Sequence, residues 1–150
     1  MIALGSDHGG FLLKEEIKKH LDQKGVEYKD YGCYDETSCD YPIQAGKVCK
    51  AIQDGEAELG ILFCGTGLGI SMAANKHIGI RAACCSDYFS AKFCRVHNDA
   101  NILCLGGRVL GPGLASELVD VFLETPFEGG RHERRVNQIT EIEKEQKALL

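Results

Sequence analysis

The chain has 150 residues, the size of one domain with enough length for a sizeable core, so we expect a single domain over residues 1–150. Hydrophobic residues make up 44% and charged residues 26%, which excludes a disordered or collagen-like chain. The net charge of −5 argues against a nucleic-acid partner, and without a long apolar run or a basic leader we expect a cytoplasmic protein that does not bind membranes.

Short apolar runs alternate with amphipathic segments along the whole chain. Strands are predicted over residues 2–5, 26–31, 59–64, 78–84 and 101–105. Helices are predicted over 11–24, 42–54, 70–75, 87–96 and 114–123; in the first, Leu13, Ile17 and Leu21 recur every four residues. This alternation is typical of an α/β sandwich around a mostly parallel sheet.

The tail over residues 131–150 is polar and carries only a narrow apolar stripe, formed by Val136, Ile139, Ile142 and Leu149. A helix with so narrow a stripe gains little from packing on its own domain. The tail is therefore either an exposed, frayed end or a C-terminal helix that docks on a partner subunit, and we favour docking.

Eight cysteines are the unusual feature of the composition. Disulfide frameworks are typical of exported proteins with small cores, which does not fit this chain, so we expect reduced thiols. Zinc finds little support, because Cys94-x-x-His97 has no second ligand pair at finger spacing, and we expect no metal and no cofactor. Most of the cysteines are interpreted as small buried hydrophobes. A thiol-redox function of the protein is a weaker alternative.

Ligands of open parallel sheets bind beyond the carboxyl ends of the strands, where helix N-termini also point. The segment 6–10 (SDHGG) joins the first strand to the first helix at that edge. Its two glycines allow a ligand to approach the backbone, while His8 could donate to an anion and Asp7 could accept from a hydroxyl. Asp7 could equally cap the helix, so both interpretations stay open.

The segment 64–69 (CGTGLG) directly follows the most apolar strand. It matches neither the dinucleotide-binding pattern nor the phosphate loop of nucleotide hydrolases. Its alternating glycines predict a concave run of backbone N–H groups that would hold an oxyanion. Cys64 lies at the mouth of this run near a helix N-terminus, which favours a thiolate base or nucleophile over a core cysteine.

Two basic segments remain. Arg131 and Arg135 lie one helical turn apart at the start of the tail and predict a phosphate clamp at the same carboxyl edge, with a solvated basic turn as the alternative. His97 precedes the fifth strand and is therefore expected at the opposite, amino edge, where it either serves a neighbouring subunit or is an ordinary loop histidine. Arg108 follows that strand and returns to the carboxyl edge.

Together these features fit proton transfer beside the carbonyl of a phosphorylated metabolite, with the glycine amides holding an enediolate. Seven segments, in this order and over essentially the whole chain, resemble the ribose-5-phosphate isomerase B family, which includes galactose-6-phosphate isomerase subunits. They are DHGG at 7–10, DYP at 40–42, CGTGLG at 64–69, AANK at 73–76, RVHND at 95–99, GR at 107–108 and GGRH at 129–132.

The resemblance implies a Rossmann-like three-layer sandwich with a five-stranded sheet, and a metal-free interconversion of D-ribose 5-phosphate and D-ribulose 5-phosphate. It implies that Cys64 moves the proton between C1 and C2, that Thr66 assists the enediolate and that His97 opens the furanose ring. The substrate-binding residues that it implies are Asp7, His8, Tyr41, Gly65, Thr66, Gly67, Leu68, Gly69, Asn98, Arg108, Arg131 and Arg135.

The resemblance also implies a homodimer, or a tetramer, with active sites shared between subunits. Some family members replace the cysteine and carry a glutamate in the helix after the glycine loop. Ile70 stands at that position here, so the chain resembles the cysteine type. Two alternatives stay open: an isomerase of a six-carbon substrate such as allose or galactose 6-phosphate, and a non-catalytic sugar-phosphate-binding subunit.

Overall fold

Five parallel strands form the centre of the protein in the computed structural model, which describes residues 1–150. The strands are β1 (Ile2–Ser6), β2 (Tyr28–Asp30), β3 (Leu59–Cys64), β4 (Ala82–Cys84) and β5 (Ile102–Gly106). Their spatial order is β2-β1-β3-β5-β4, and every neighbouring pair is parallel. The α/β prediction is confirmed, and the sheet that was expected to be mostly parallel is parallel throughout.

Six helices accompany the strands. They are α1 (Phe11–Lys24), α2 (Tyr41–Gln53), α3 (Leu68–Ala74), α4 (Tyr88–Val96), α5 (Pro112–Glu124) and α6 (Arg131–Ala148). The largest difference from the predicted bounds concerns the fourth strand, which was expected over 78–84 and is observed over 82–84. Gly79 has a φ of +78°, and the Ile80 N–H donates to the His77 carbonyl at 3.2 Å, so this stretch turns where a strand was expected.

Helices cover both faces of the sheet, because successive strand residues point to opposite faces. Ile61 and Phe63 of β3 belong to the core on one face, with residues of α1, α4 and α5. Leu62 and Cys64 of the same strand belong to the core on the other face, with residues of α2 and α3. The Rossmann-like three-layer arrangement is therefore confirmed, and the apolar sequence of β3 follows from its burial on both sides.

The C-terminal helix α6 lies outside the three layers and contributes two buried side chains, His132 and Val136. Its further apolar residues Ile139 and Ile142 are exposed. Glu143 accepts a hydrogen bond from the Gly79 N–H at 3.1 Å, which ties the helix to the turn before β4. Docking of α6 on a partner subunit stays a prediction, and the exposed stripe is the surface that it would use.

None of the six helices combines the length and the apolar character needed to cross a bilayer.

Candidate active site

The carboxyl ends of β1, β3 and β5, which are adjacent in the sheet, bring three loops together. The Asp7 N–H donates to the Phe63 carbonyl at 3.1 Å and ties the first loop to β3. The Gly107 N–H donates to the Cys64 carbonyl at 2.8 Å and ties the third loop to the same strand. We call this edge the thiol half-site, defined by Asp7, His8, Tyr41, residues 64–69 and Arg108.

Cys64 is the last residue of β3 and is buried, with 5% of its surface exposed. The Gly67 N–H donates to its Sγ at 3.1 Å. Gly67 is the N-cap residue of α3 and has a φ of +82°, a left-handed conformation that favours glycine. An N–H donor aimed at the sulfur stabilises negative charge there, so this environment suits a thiolate that acts as a base.

The remaining cysteines have different surroundings, although all eight are free thiols. Burial raises the pKa of Cys49 to about 12. Burial likewise raises the pKa of Cys104 well above its ordinary value, so both of these core thiols stay protonated at neutral pH. No cluster of three or more His, Cys, Asp or Glu side chains has the arrangement of a metal site.

The loops reach Cys64 because glycine permits an unusually close approach of their backbones. A Cβ on Gly107 would lie 2.6 Å from the Gly9 carbonyl oxygen. A Cβ on Gly10 would lie 2.3 Å from the carbonyl carbon of Phe63. Any side chain at these two positions would therefore push the first and third loops away from the thiol.

Two of the predicted binding side chains lie against the glycine loop. Tyr41 begins α2, and a Cβ built on Gly69 would be 2.9 Å from its Cζ, which places the phenol ring directly over that glycine. The Arg108 guanidinium lies over Gly65 in the same way, 3.3 Å from a Cβ built there. The loop that would hold an oxyanion is therefore flanked by one hydroxyl and one fixed positive charge.

Asp7 and His8 are oriented by backbone groups. The Asp7 Oδ1 accepts from the Gly10 N–H at 3.1 Å, so this carboxylate does cap the turn that leads into α1, while its second oxygen makes no hydrogen bond. The His8 Nδ1 accepts from the Cys39 N–H at 3.2 Å, which places the proton of the neutral ring on Nε2. Both residues thus keep one polar atom available for a ligand.

A second group of predicted site residues lines a separate pocket of about 340 Å³, which we call the imidazole half-site. Its lining residues are His97, Asn98, Arg131, His132, Arg135, Val136 and Ile139. His97 is the C-cap residue of α4 and lies before β5, at the amino edge of the sheet, as predicted.

An ion-pair cluster holds the turn that follows His97 and Asn98. Asp99 is the single non-glycine residue with a positive φ, at +47°. Its carboxylate accepts from Arg95 Nη1 at 3.0 Å, and its carbonyl accepts from Arg81 Nη2 at 2.9 Å. Arg81 also donates to the Asn98 carbonyl at 3.1 Å, so two guanidinium groups fix the backbone that presents the imidazole.

The structure corrects the predicted position of the arginine clamp. Arg131 and Arg135 were expected at the carboxyl edge with the thiol, but they lie beside His97 at the amino edge. The reason is topological: β5 ends at the carboxyl edge and α5 carries the chain back, so α6 begins at the amino edge. The Glu128 N–H donates to the Val96 carbonyl at 3.2 Å and fixes this connection on the end of α4.

Comparison with known proteins shows which family the chain belongs to. The family model described as Ribose/Galactose Isomerase matches residues 2–139. This chain belongs to that family. Among the relatives of this family member is the ribose-5-phosphate isomerase B of Escherichia coli (strain K12), which is 52% identical over 142 residues, 95% of each protein.

Solved structures agree with this membership. A ribose-5-phosphate isomerase B from Clostridium thermocellum has a TM-score of 0.95 to this ribose/galactose isomerase family member, with 52% identity, and the match covers 97% of this chain and 98% of that one. A ribose-5-phosphate isomerase B from Mycoplasma genitalium with bound ribulose-5-phosphate has a TM-score of 0.89 and 42% identity over 96% of each chain. The resemblance carried by the seven segments is therefore confirmed for the family.

One residue of the imidazole half-site received no role from the sequence. His132 lies inside the GGRH segment, but its motif does not indicate that it is buried against His97. A contact between residues 35 positions apart leaves no periodic pattern in a single sequence, so only the fold reveals it.

Proposed function

We propose that this ribose/galactose isomerase family member interconverts D-ribose 5-phosphate and D-ribulose 5-phosphate. The observation that carries the proposal is the buried Cys64 thiol at the end of β3, with the Gly67 N–H 3.1 Å from its sulfur. Relatives named ribose-5-phosphate isomerase B, one of them with bound ribulose-5-phosphate, support the choice of substrate. The reaction moves hydrogen within one molecule, so no cofactor is needed to balance it.

The chemistry begins when the Cys64 thiolate takes the proton from C2 of the open-chain aldose. The electron pair of the C2–H bond forms the C1–C2 double bond, and the aldehyde oxygen becomes the enediolate oxygen. The amides of residues 65–69 hold that charge, and Thr66 can donate its hydroxyl hydrogen because its Oγ1 accepts from the Leu68 N–H. The C2 hydroxyl proton then passes to O1, while Cys64 returns its proton to C1 and leaves a ketone at C2.

Ribose 5-phosphate in solution is largely a furanose, so its ring must open before this step. We assign this step to His97, which would take the proton of the C1 hydroxyl and deliver a proton to the ring oxygen. Because the two half-sites lie at opposite ends of the strands, we propose a homodimer in which one subunit's imidazole half-site completes its partner's thiol half-site. A tetramer built from such dimers is the alternative, and the exposed stripe of α6 offers contact surface.

The other side chains divide by charge. Arg131 and Arg135, one turn apart on α6, are assigned to the phosphate together with His8 and Arg108. The acceptor and hydroxyl groups of Asp7 and Tyr41 are assigned to the sugar hydroxyls. Asn98, held by the Arg81 bond to its carbonyl, is assigned a further substrate contact.

We also place the protein in the cytoplasm. Eight free thiols, several of them buried close to one another, suit a compartment that keeps cysteines reduced. The substrate class agrees with this location, since phosphorylated sugars are retained inside cells by their charge.

A coupled isomerase assay with ribose 5-phosphate, allose 6-phosphate and galactose 6-phosphate tests the proposal. We expect turnover of ribose 5-phosphate. Turnover of a six-carbon substrate alone would replace the proposed substrate, and the family description names galactose beside ribose. Binding of ribose 5-phosphate without any turnover would instead identify a non-catalytic sugar-phosphate-binding subunit.

Substitution of Cys64 tests the proposed base. We expect Cys64→Ala to lower kcat by about 10³-fold, the usual contribution of a positioned base, while ribose 5-phosphate still binds. Cys84→Ala is the matched control, because it removes an exposed thiol near the carbonyl of Thr66 and should leave turnover unchanged. Full activity of Cys64→Ala in steady-state kinetics would rule out the assigned base.

A further inference from the structure

Four rings form a column along one face of α4 and onto α6. Phe89 and Phe93 stack with centroids 4.4 Å apart, and Phe93 lies 4.9 Å from His97. His97 in turn stacks on His132, with centroids 4.3 Å apart and an angle of 19° between the planes. The imidazole assigned to ring opening is therefore held between an aromatic ring on one side and a second imidazole on the other.

His132 is an unusual histidine for a site of this kind. It is 6% exposed, and its Nε2 is buried without a hydrogen-bond partner. The nearest carboxylate oxygen, from Glu128, is 3.8 Å away and out of hydrogen-bond range. The buried Nε2 does not face a bound sugar, and the contact that His132 makes with another site residue is the face of its ring on His97.

We infer that His132 is a positioning residue, whose ring fixes the plane in which the His97 imidazole handles the protons of ring opening. The inference rests on the proposed isomerase function and extends it. His97 is a C-cap residue at the end of a helix, where a side chain would otherwise rotate freely about its χ angles. Two ring contacts restrict that rotation, a tilted one from Phe93 at 56° and a stacked one from His132, and they hold the His97 ring in the lining of the pocket.

The electrostatics of the pair are consistent with this role. Burial lowers the pKa of His132, and the neighbouring His97 lowers it further, against the opposing effect of Glu128. A neutral His132 presents a ring face that is compatible with a proton on His97, whereas two stacked cations would repel each other. In this arrangement His97 handles the proton, while the neutral His132 only orients the His97 ring.

Two aldose substrates separate this role from a general structural one, because the equilibrium constant of a single reaction ties the kcat/KM values of its two directions together. The phosphate of D-erythrose 4-phosphate occupies the oxygen that would close a furanose, so this aldose is open-chain and its conversion does not require ring opening. We expect His132→Ala to lower kcat/KM for ribose 5-phosphate by about 10- to 100-fold, as a misplaced catalytic group does, and that for erythrose 4-phosphate by less than about twofold.

Three further variants complete the experiment. His132→Phe keeps a flat ring and gives up no hydrogen bond, so it should restore kcat/KM for ribose 5-phosphate to within about threefold of the wild type. In a His97→Ala background, His132→Ala should cause no additional loss, because the two residues act through one step. His20→Ala, which removes a histidine of the α1 surface paired with Asp120, should change kcat/KM for neither substrate.

Equal losses in kcat/KM for ribose 5-phosphate and erythrose 4-phosphate in His132→Ala would overturn the inference in favour of a structural role. A His132→Phe variant as slow as His132→Ala would overturn it in favour of proton transfer by His132 itself. An inactive wild type would contradict the proposed function instead. In that case, or if the wild type does not turn over erythrose 4-phosphate, NMR of the labelled His97 ring decides the inference, which predicts a changed ring shift in His132→Ala and a nearly unchanged one in His132→Phe.

Discussion

Gly10 shows how one missing side chain sets the geometry around the thiol. Its φ of −105° is open to any residue, so conformational freedom is not the reason for glycine here. The reason is contact: the backbone of Gly10 lies directly against Phe63, next to the last residue of the strand that ends in Cys64. The first loop could not otherwise bring Asp7 and His8 beside the thiol.

Gly10→Ala should therefore destabilise the fold by about 3 kcal/mol, because the new Cβ would lie 2.3 Å from the Phe63 carbonyl carbon and the backbone must move. Gly111→Ala is the matched control: Gly111 has a φ of −77°, and a Cβ there meets nothing within 4 Å. The free energy of unfolding of the control should change by less than about 0.5 kcal/mol. Urea unfolding compares them, and equal stabilities would contradict the contact argument.

At the scale of single residues, the sequence indicates which residue types could react, but it does not show which side chains contact one another in the fold. Cys64 could be selected among eight cysteines because it follows a fully apolar strand and precedes alternating glycines, both of which are local patterns. The stacking of His132 on His97 could not be predicted, because it depends on the relative position of two helices. The same holds for Lys14, which lies next to Leu13 on an apparently ordinary helix surface and is completely buried.

Lys14 joins α1 to β2. Its Nζ donates to Asp30 Oδ1 at 2.8 Å and also to the Cys33 carbonyl, while Lys18 approaches the other carboxylate oxygen at 3.0 Å. Burial alone would raise the pKa of Asp30, but hydrogen bonds from Lys14, the Gly32 N–H and Lys18 outweigh it and lower the pKa. The network anchors the start of the loop whose Cys39 N–H orients His8.

Asp30→Asn should destabilise the fold by about 3 kcal/mol at pH 7, because it leaves the Lys14 ammonium buried without its counter-ion. A lowered carboxyl pKa contributes stability above the unfolded value of about 4 and loses it as pH falls through the folded value. The difference between wild type and variant should therefore shrink below about pH 4. Urea unfolding at pH 7 and pH 3 measures it.

The exposed pair Lys50–Asp54, with 2.9 Å between Nζ and Oδ2, supplies the control for that experiment. Asp54→Asn should leave the free energy of unfolding nearly unchanged, since solvent screens both charges. A loss at Asp30 no larger than the loss at Asp54 would contradict the interpretation of Lys14 as a buried ion-pair partner.

At the scale of elements, the predicted order and type are correct, but one strand boundary and the position of the arginine clamp are wrong. The strand predicted over 78–84 begins four residues late because a glycine turn interrupts an apolar run, and periodicity does not detect such a turn. The arginine clamp was placed at the wrong edge, although the alternation of strands and helices already implied that α6 starts where α5 ends. The charge of a motif indicates an anion site, but the direction of the chain determines the edge of the sheet at which that site lies.

For the molecule as a whole, charge is distributed unevenly. The chain carries a net charge of −5, which disfavours long polyanions, yet Arg131 and Arg135 share one pocket with His97. Such an arrangement suits a compact dianion, such as the proposed sugar phosphate, better than a long polyanion. This pocket and Cys64 lie at opposite ends of the sheet within one chain. Under the proposed function, a complete site therefore requires two chains.

Mixed oligomers test that requirement. A chain with Cys64→Ala keeps its imidazole half-site, and a chain with both His97→Ala and Arg131→Ala keeps its thiol half-site. In random mixed dimers, one of the two sites in each heterodimer is intact, so refolding the two inactive proteins together should restore about a quarter of wild-type turnover of ribose 5-phosphate. Mixing Cys64→Ala with Arg108→Ala, both in the thiol half-site, should restore nothing. If native mass spectrometry detects the first heterodimer and its activity stays at the level of this control, each chain must build its site alone and the shared-site dimer is wrong.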